Sequence, residues 1–320
     1  MDVLTDLLQR SRAQGAAFCR TTAYGEWGLR FPGTAALAVH AIIEGEAHLW
    51  ADDPARAARL TPGDVILVRE DIEHHVAHAS GAPTEPLESV IKSGPGVTQQ
   101  VTVGHPHQGE GASFFCGAYL FDGDLCRGLL DALPDTMRLA PAAGSTLRAT
   151  MDLLAREMLN DEPGQQTLLD RLLDVALVQI LREHFRTRSD DAPGWFRASA
   201  DPRVGRALQA LHEAPAHPWT VAELADHALL SRSAFARQFT DLVGQAPLTY
   251  LNDWRMALAR ERLRDTDARL AAIGTSLGYA SEFSFAAAFK RHHGVAPGRW
   301  RSEARRRPGE VAPAQGAMLS

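Results

Sequence analysis

What the chain has little of narrows it first. Of its 320 residues three are cysteine, Cys19, Cys116 and Cys126, and they form neither a C-x-x-C pair nor a spaced zinc set. That excludes a disulfide framework and a structural zinc, and leaves the thiols to packing or redox sensing. No apolar run approaches the ~20 residues needed to span a bilayer, since charge interrupts each one within roughly ten. The amino-terminal MDVLTDLLQRSR has no basic stretch leading into an apolar one, so no leader or membrane partner is expected and the chain reads as cytoplasmic. What is there, 45% hydrophobic residues in a chain of this length, suits a full core and about two domains.

The net charge of −6 hides an asymmetry. Residues 1–200 carry 17 Lys and Arg against 27 Asp and Glu, whereas residues 201–307 carry 16 against 11. An acidic front joined to a basic back suits a polyanionic partner for the back half, although a solvated basic face reads the same way.

Residues 18–121 read as β structure: LAVHAIIEGEAHLWA alternates around a Glu-Gly turn, LTPGDVILVRE is a Pro-Gly-Asp turn feeding an apolar run, and SFFCGAYLF is a further strand. From Gly128 to Arg186 the pattern becomes helical, and Leu169, Leu172, Leu173, Ala176 and Ile180 draw one apolar stripe. Such a stripe either packs on its own domain or forms the seam of a homodimer. Charge, Pro and Gly then interrupt the pattern in RTRSDDAPGWFRASADP.

The last hundred residues repeat one theme. In WTVAELADHALLSRSAFARQF, Thr220 and Glu223 form a capping-box pattern, Ser231 can cap a second helix, and Phe235 and Phe239 lie four apart facing inward. Arg232, Ser233, Ala236 and Arg237 are left outside. In DARLAAIGTSLGYASEFSFAAAFKR, Asp267 can cap a helix, Gly278 turns the chain, Ser281 caps again, and Phe285 and Phe289 repeat the spacing, leaving Glu282, Phe283, Ala286 and Ala287 outside. PLTYLNDWRMALARERLRDT between them predicts a rod of roughly 27 Å, enough to hold two reading helices about one DNA turn apart.

These residues resemble the AraC/XylS-type transcription regulators, over residues 201–301. The resemblance implies a bipartite unit reading two successive major grooves of double-stranded DNA, with the two outward sets just named facing bases. It also implies activation through RNA polymerase. Arg237 is the strongest base reader by chemistry, because a guanidinium can take guanine O6 and N7 together, worth ~1–3 kcal/mol; a phosphate contact is its alternative. Glu282 either accepts from cytosine N4 or serves as a first-turn acid, and Ala286 and Ala287 offer only methyl contacts. Phe283 either packs on a thymine methyl or is covered by protein. Arg255, Lys290 and Arg291 are expected at phosphates.

The front half is similar to the cupin-type sensor domains attached to one branch of these regulators: Pro62, Gly63 and Asp64 stand at the turn, with His74 eleven residues past the glycine. A metal-using cupin needs a His-x-His pair, and here only His40 precedes the turn. His40, His74, His75 and His78 are candidates for a metal ion or an effector, and His105, His107 and Glu110 lie nearby in sequence. Cysteines at similar places in some such regulators respond to oxidants, which makes Cys19 and Cys116 candidate redox residues; a buried inert thiol is the plain alternative.

The expected fold is α+β in two domains: a cupin-like β-barrel over residues 1–140 with a helical extension over 141–187, a linker at 188–200, an all-α double helix-turn-helix over 201–301, and a disordered tail over 302–320. The function expected is a DNA-binding regulator controlled by an unknown effector or oxidant. A metal-dependent cupin enzyme and an architectural DNA protein are the alternatives.

Overall fold

The computed structural model describes residues 2–10, 14–90, 99–105, 107, 109, 111–121, 126–160, 162–188 and 192–306. In chain order, α1 (Val3–Arg10) precedes β1 (Gln14–Tyr24), β2 (Gly28–Phe31), β3 (Leu37–Glu44) and β4 (Ala47–Trp50). Then come β5 (Ala58–Leu60), β6 (Val65–Arg69), β7 (His74–Ala77), β8 (Glu85–Pro86), β9 (Gln99–Val103) and β10 (Gly111–Leu120). Next are α2 (Arg127–Leu130), β11 (Thr136–Leu139), α3 (Thr146–Glu157), α4 (Gln165–Thr187), α5 (Gly194–Ala200) and α6 (Val204–Glu213). The remaining helices are α7 (Val221–Ala228), α8 (Arg232–Val243), α9 (Pro247–Asp265), α10 (Leu270–Ser276), α11 (Glu282–His293) and α12 (Pro297–Arg306). The chain divides into two compact units, β1–β11 with α3 and α4 in one, α1, α2 and α5–α12 in the other.

The β unit is two sheets, ordered β11-β6-β3-β10-β1-β9 and β5-β4-β7-β2-β8. Alternation of apolar residues along the strands sends Ile42, Ile66, Val68 and Phe114 from one sheet and Trp27, Leu29, Phe31 and Val76 from the other into a single core. Gly45 passes the chain between sheets in the Glu-Gly turn: its φ of +70° and the carbonyl of Gly111 against its α-carbon exclude a side chain. At the Pro-Gly-Asp turn the buried Asp64 carboxylate accepts from Thr61 N and Oγ1 and from Arg138. β11 lies in a stretch whose pattern reads as helical; four residues, with Met137 and Leu139 inward, are too short an alternation to stand out. The α4 stripe packs on β1 and α3, with Leu169, Leu173, Ala176 and Ile180 buried.

The helical unit holds the two repeats. Residues 194–200, expected in the linker, form α5, which packs on α6 and α8, with Gly194 lying directly on the backbone of Val243. A side chain at Gly194 has no room there, which is why a glycine that looks like a linker signal is a packing residue. α12 runs through residues 302–306, which the sequence assigned to a tail; the rest of that segment lies outside the described residues. Among the described residues no helix is long and apolar enough to cross a membrane.

The two helix-turn-helix turns solve one problem differently. Gly278 takes the left-handed conformation at φ +85°, with the Ala216 carbonyl so close that only glycine fits. The first turn puts Leu229 there, at φ +54° with its side chain 72% exposed. A Cβ in that region costs roughly 1–2 kcal/mol, and so exposed a side chain returns little packing. Leu229→Gly is therefore expected to stabilise the helical unit by about 1 kcal/mol, read as a higher urea midpoint; an unchanged or lower midpoint would show that Leu229 carries no strain.

Candidate DNA interface and a buried cysteine–histidine row

In the first repeat, Thr220 Oγ1 accepts from Glu223 N while the Glu223 carboxylate accepts from Thr220 N, closing the capping box. Ser231 caps α8 by accepting from Ala234 N at 3.3 Å. Behind α8, Phe235 and Phe239 are fully buried with ring centroids 5.5 Å apart, packed with Leu224, Ala225 and Ala228 in the unit's core. The opposite face carries Arg232, Ser233 and Arg237 exposed and Ala236 half-buried.

The second repeat is built alike. Ser281 and Ser284 cap α11 reciprocally, Phe285 and Phe289 are fully buried at 5.9 Å, and Ile273 and Leu277 are buried with them. Glu282, Phe283 and Ala287 are exposed and Ala286 is half-buried. Gly274 has its reason in this packing: a Cβ there would come within 2.9 Å of Phe285 Cβ, so the ~1 kcal/mol helix cost of glycine lets α10 and α11 approach. The expected Asp267 cap is absent; α10 begins after Arg269, and Asp267 instead pairs with Arg305 at 2.7 Å.

Between the repeats α9 is 19 residues, about 28 Å at 1.5 Å each. Pro247 opens it, and Tyr250, Leu251, Trp254, Leu258, Ala259 and Leu263 are buried along it, where α8, α10, α11 and α12 all pack. The rod is thus the common core of the repeats as well as their spacer.

The expected phosphate contacts separate. Lys290 and Arg291 are exposed in the last turn of α11. Arg255 has partners within the fold: its Nε donates to Pro215 O at 2.6 Å, its Nη2 to His217 O at 2.8 Å, and its guanidinium lies over Tyr279. It therefore ties the loop before α7 to the turn before α11, a positioning duty beyond the phosphate contact expected of it.

A second polar cluster was invisible in sequence because its members are some two hundred residues apart. Asp6 of α1 is buried against His212 of α6, with Oδ2 to Nδ1 3.0 Å, and His212 Nε2 meets Tyr250 Oη at 2.7 Å. Burial lowers the His212 pKa, with the Asp6 carboxylate opposing, so the imidazole is neutral, donating from Nδ1 and accepting the Tyr250 hydroxyl proton at Nε2. Burial raises the Asp6 pKa, but hydrogen bonds from His212 and Arg10 outweigh it and leave the carboxyl below its ordinary value.

In the β unit, register draws the candidate sensor residues into a row. Cys19 of β1 stands opposite Cys116 of β10, and Cys116 opposite His40 of β3. Cys116 Sγ lies 3.2 Å from His40 Nδ1, and His40 Nε2 crosses to the other sheet to meet His74 Nε2 at 2.8 Å. His74 Nδ1 faces the Ile72 carbonyl at 3.0 Å, so it donates there and its Nε2 accepts from His40, which leaves His40 Nδ1 to accept the Cys116 S–H. Phe31 walls the pair, stacked on His74 and edge-on to His40. Burial lowers His74 to about 4 and holds His40 well below its ordinary value, so both rings are neutral. Burial raises the Cys116 thiol; Cys19 is lowered, first by its hydrogen-bond contact with Cys116, so the single Cys116 S–H faces two acceptors, Cys19 Sγ and His40 Nδ1.

The remaining candidates lie apart from this row. His78 Nδ1 is held at the Trp27 backbone, and His75 stacks on Trp50 and meets Thr84 Oγ1. Glu110 lies outside the described residues. Two imidazole nitrogens that bond to each other do not open onto a common point, and no group of three or more His, Cys, Asp or Glu among the described residues is arranged to hold a metal ion. The donor set does not fit a cupin metal centre.

A model for a cupin domain matches residues 2–186, and one for a helix-turn-helix domain matches residues 224–303. An AraC-like transcription regulator of Streptomyces antibioticus is 34% identical over 306 residues, 94% of this chain and 98% of that one. The HTH-type transcriptional regulator AlkR of Acinetobacter baylyi is 28% identical over 308 residues, 95% of this chain and 100% of that one. The DNA-binding domain of AdpA, solved in complex with a target DNA, is 31% identical with a TM-score of 0.32, over 34% of this chain and 98% of that one.

Two outcomes follow. Arg237→Ala should relax preference at one base position by ~1–3 kcal/mol in a binding-site selection, whereas a uniform loss over all sequences would make it a phosphate contact. His212 and Asp6 both have lowered pKa values, so the stability they carry is complete above the ordinary histidine value of 6.5 and is lost as pH falls, first with His212 and then with Asp6 below 3.8. Urea midpoints of the helical unit should decline from pH 7 to 5, and His212→Gln should be less stable at pH 7 yet flatter over that range.

Proposed function

The chain belongs to the AraC family of helix-turn-helix transcription regulators, with an amino-terminal cupin domain, and we propose that α8 and α11 enter successive major grooves of its operator while the cupin domain receives the controlling signal. One observation carries the first part: each of these helices is fastened from behind by a buried pair of phenylalanines and left bare on its other face. Small residues on the bare face admit a groove, and the basic balance of residues 201–307 draws a polyanion toward it. Selection of duplexes from a random pool by the full chain tests this; a regulator returns two half-sites about one turn apart, and recovery of no sequence would end the reading.

The signal is assigned to the row of Cys19, Cys116, His40 and His74. Either an oxidant or a small organic effector in the barrel could act there, by favouring one of two arrangements of the β unit over the other. In the oxidant reading a two-electron oxidant such as hydrogen peroxide joins the two thiols: both S–H bonds break, one S–S bond forms, and the two electrons and two protons reduce the peroxide to two waters. The neutral His40 nitrogen is placed to take the Cys116 proton. The thiols are 0% and 3% exposed, so the oxidant must enter the barrel or meet the strand pair as it opens, rather than find a solvent-reached thiolate.

Activation through RNA polymerase, action in the cytoplasm and a homodimer belong to the same reading. The homodimer is supported by Leu168 and Val175, which α4 leaves more than 45% exposed opposite its packed stripe. The enzyme alternative has no observation in its favour, since the histidines do not converge as ligands. Cys19→Ser and Cys116→Ser should each abolish a peroxide-induced change in operator affinity measured by fluorescence anisotropy; a variant that still switches would remove the thiols from the signal and leave the organic effector.

A further inference from the structure

We infer that α11 recognises its half-site by the 5-methyl groups of thymine, contacted by Phe283, Ala286 and Ala287, and not by hydrogen bonds to base edges. The inference rests on the reading of the chain as a DNA-binding regulator, and adds the chemistry of one half-site.

Phe283 is 84% exposed at the second position of α11. That removes one of the two roles its sequence left open, because no protein in the helical unit covers it. A phenyl ring held in water forgoes ~1.5–3 kcal/mol of burial, so its place on an otherwise well-packed helix calls for an apolar surface to meet. Residues three, four and seven positions on share its face, which continues the stripe through Ala286 and Ala287 to Lys290.

Over its first two turns this stripe has no group that can donate to a base. The nearby hydroxyls are engaged, Ser281 Oγ accepting from Ser284 N and Ser284 Oγ donating to Ser281 O. Arg255, which lies over Tyr279 in the turn before α11, is held by two carbonyls. Reading a purine edge from the major groove takes a donor to N7 or guanine O6, or an acceptor for adenine N6, and the stripe has neither; the thymine methyl is the one base-edge feature an apolar surface recognises. Glu282 projects about 100° around the helix from Phe283, off the stripe, and a carboxylate can accept only from the amino groups, cytosine N4 or adenine N6. The first donors, Lys290 and Arg291, come two turns later and suit phosphates.

The other repeat sets the contrast. Ser233 stands in α8 where Phe283 stands in α11, counted from the capping serines Ser231 and Ser281, and Arg237 follows one turn later. The half-site under α8 is thus read with a guanidinium, and the half-site under α11 by shape and methyl contact.

The test uses the full chain and the operator it selects. Each thymine of the half-site insensitive to Arg237→Ala is replaced in turn by deoxyuridine, which deletes the methyl and keeps every hydrogen-bonding group. A loss of about fourfold at one or two positions is expected, the worth of one buried methyl. Cytosine to 5-methylcytosine at a position next to these should not weaken binding, and Phe283→Ser, an exposed change that copies the first repeat, should make thymine and deoxyuridine equivalent at the position with the largest deoxyuridine loss. If the chain selects an operator and deoxyuridine is neutral throughout that half-site, the inference fails and the regulator reading stands. A Phe283→Ser loss equal on thymine and deoxyuridine would assign the ring to stacking and also overturn it. Failure to select any operator would remove the regulator reading itself.

Discussion

Everything the helical unit can do depends on two pairs of buried phenylalanines. Phe235 with Phe239 and Phe285 with Phe289 hold α8 and α11 in the common core around α9, each pair using the four-residue step that puts two rings on one helix face. A helix of 12 residues is marginal in water by itself, so this anchoring is what gives it a fixed orientation. Because all the apolar contact is taken from behind, the front face can hold whatever a groove requires without any cost in stability. The same division lets the two faces diverge chemically while the repeats keep one architecture.

Much of this was legible in the sequence, since it is local. The Thr220–Glu223 capping box, the inward phenylalanines and the Pro-opened rod are each set by spacings of three to five residues, and they stand where the pattern puts them. The sites that depend on pairing across distance were not. Nothing in the sequence spacing of Cys19, Cys116, His40 and His74 tells that register makes them one row, because register is a property of strand pairs. Nor does periodicity reveal that Arg255 is bound to carbonyls, that Gly194 is a packing residue or that α1 brings Asp6 to His212. These features share a cause: in sequence a guanidinium shows only its charge and a glycine only its freedom, and neighbours from other segments decide what each one holds.

The buried row has a different character from the DNA-facing helices. Four titratable side chains sit in an apolar core with every ring nitrogen paired, which fixes the tautomers and keeps the rings uncharged. Any event that adds charge or removes a proton at one end must be answered along the row, since a lone unsatisfied polar atom there costs about 1–3 kcal/mol. That makes the row a sound place for a signal to enter the β unit, as the two sheets are joined through the His40 and His74 contact.

The unequal chemistry of the two bare faces gives the chain a built-in response to ionic strength. Contacts made by guanidinium groups weaken as salt screens them and as fewer counterions are set free, while apolar contacts are indifferent to screening and are strengthened by excluded salts. On the proposed reading both helices lose phosphate grip as the medium grows more saline, α11 through Lys290 and Arg291, while the methyl contacts of α11 keep their worth. The share of recognition that is sequence-dependent therefore shifts toward the α11 end of the rod.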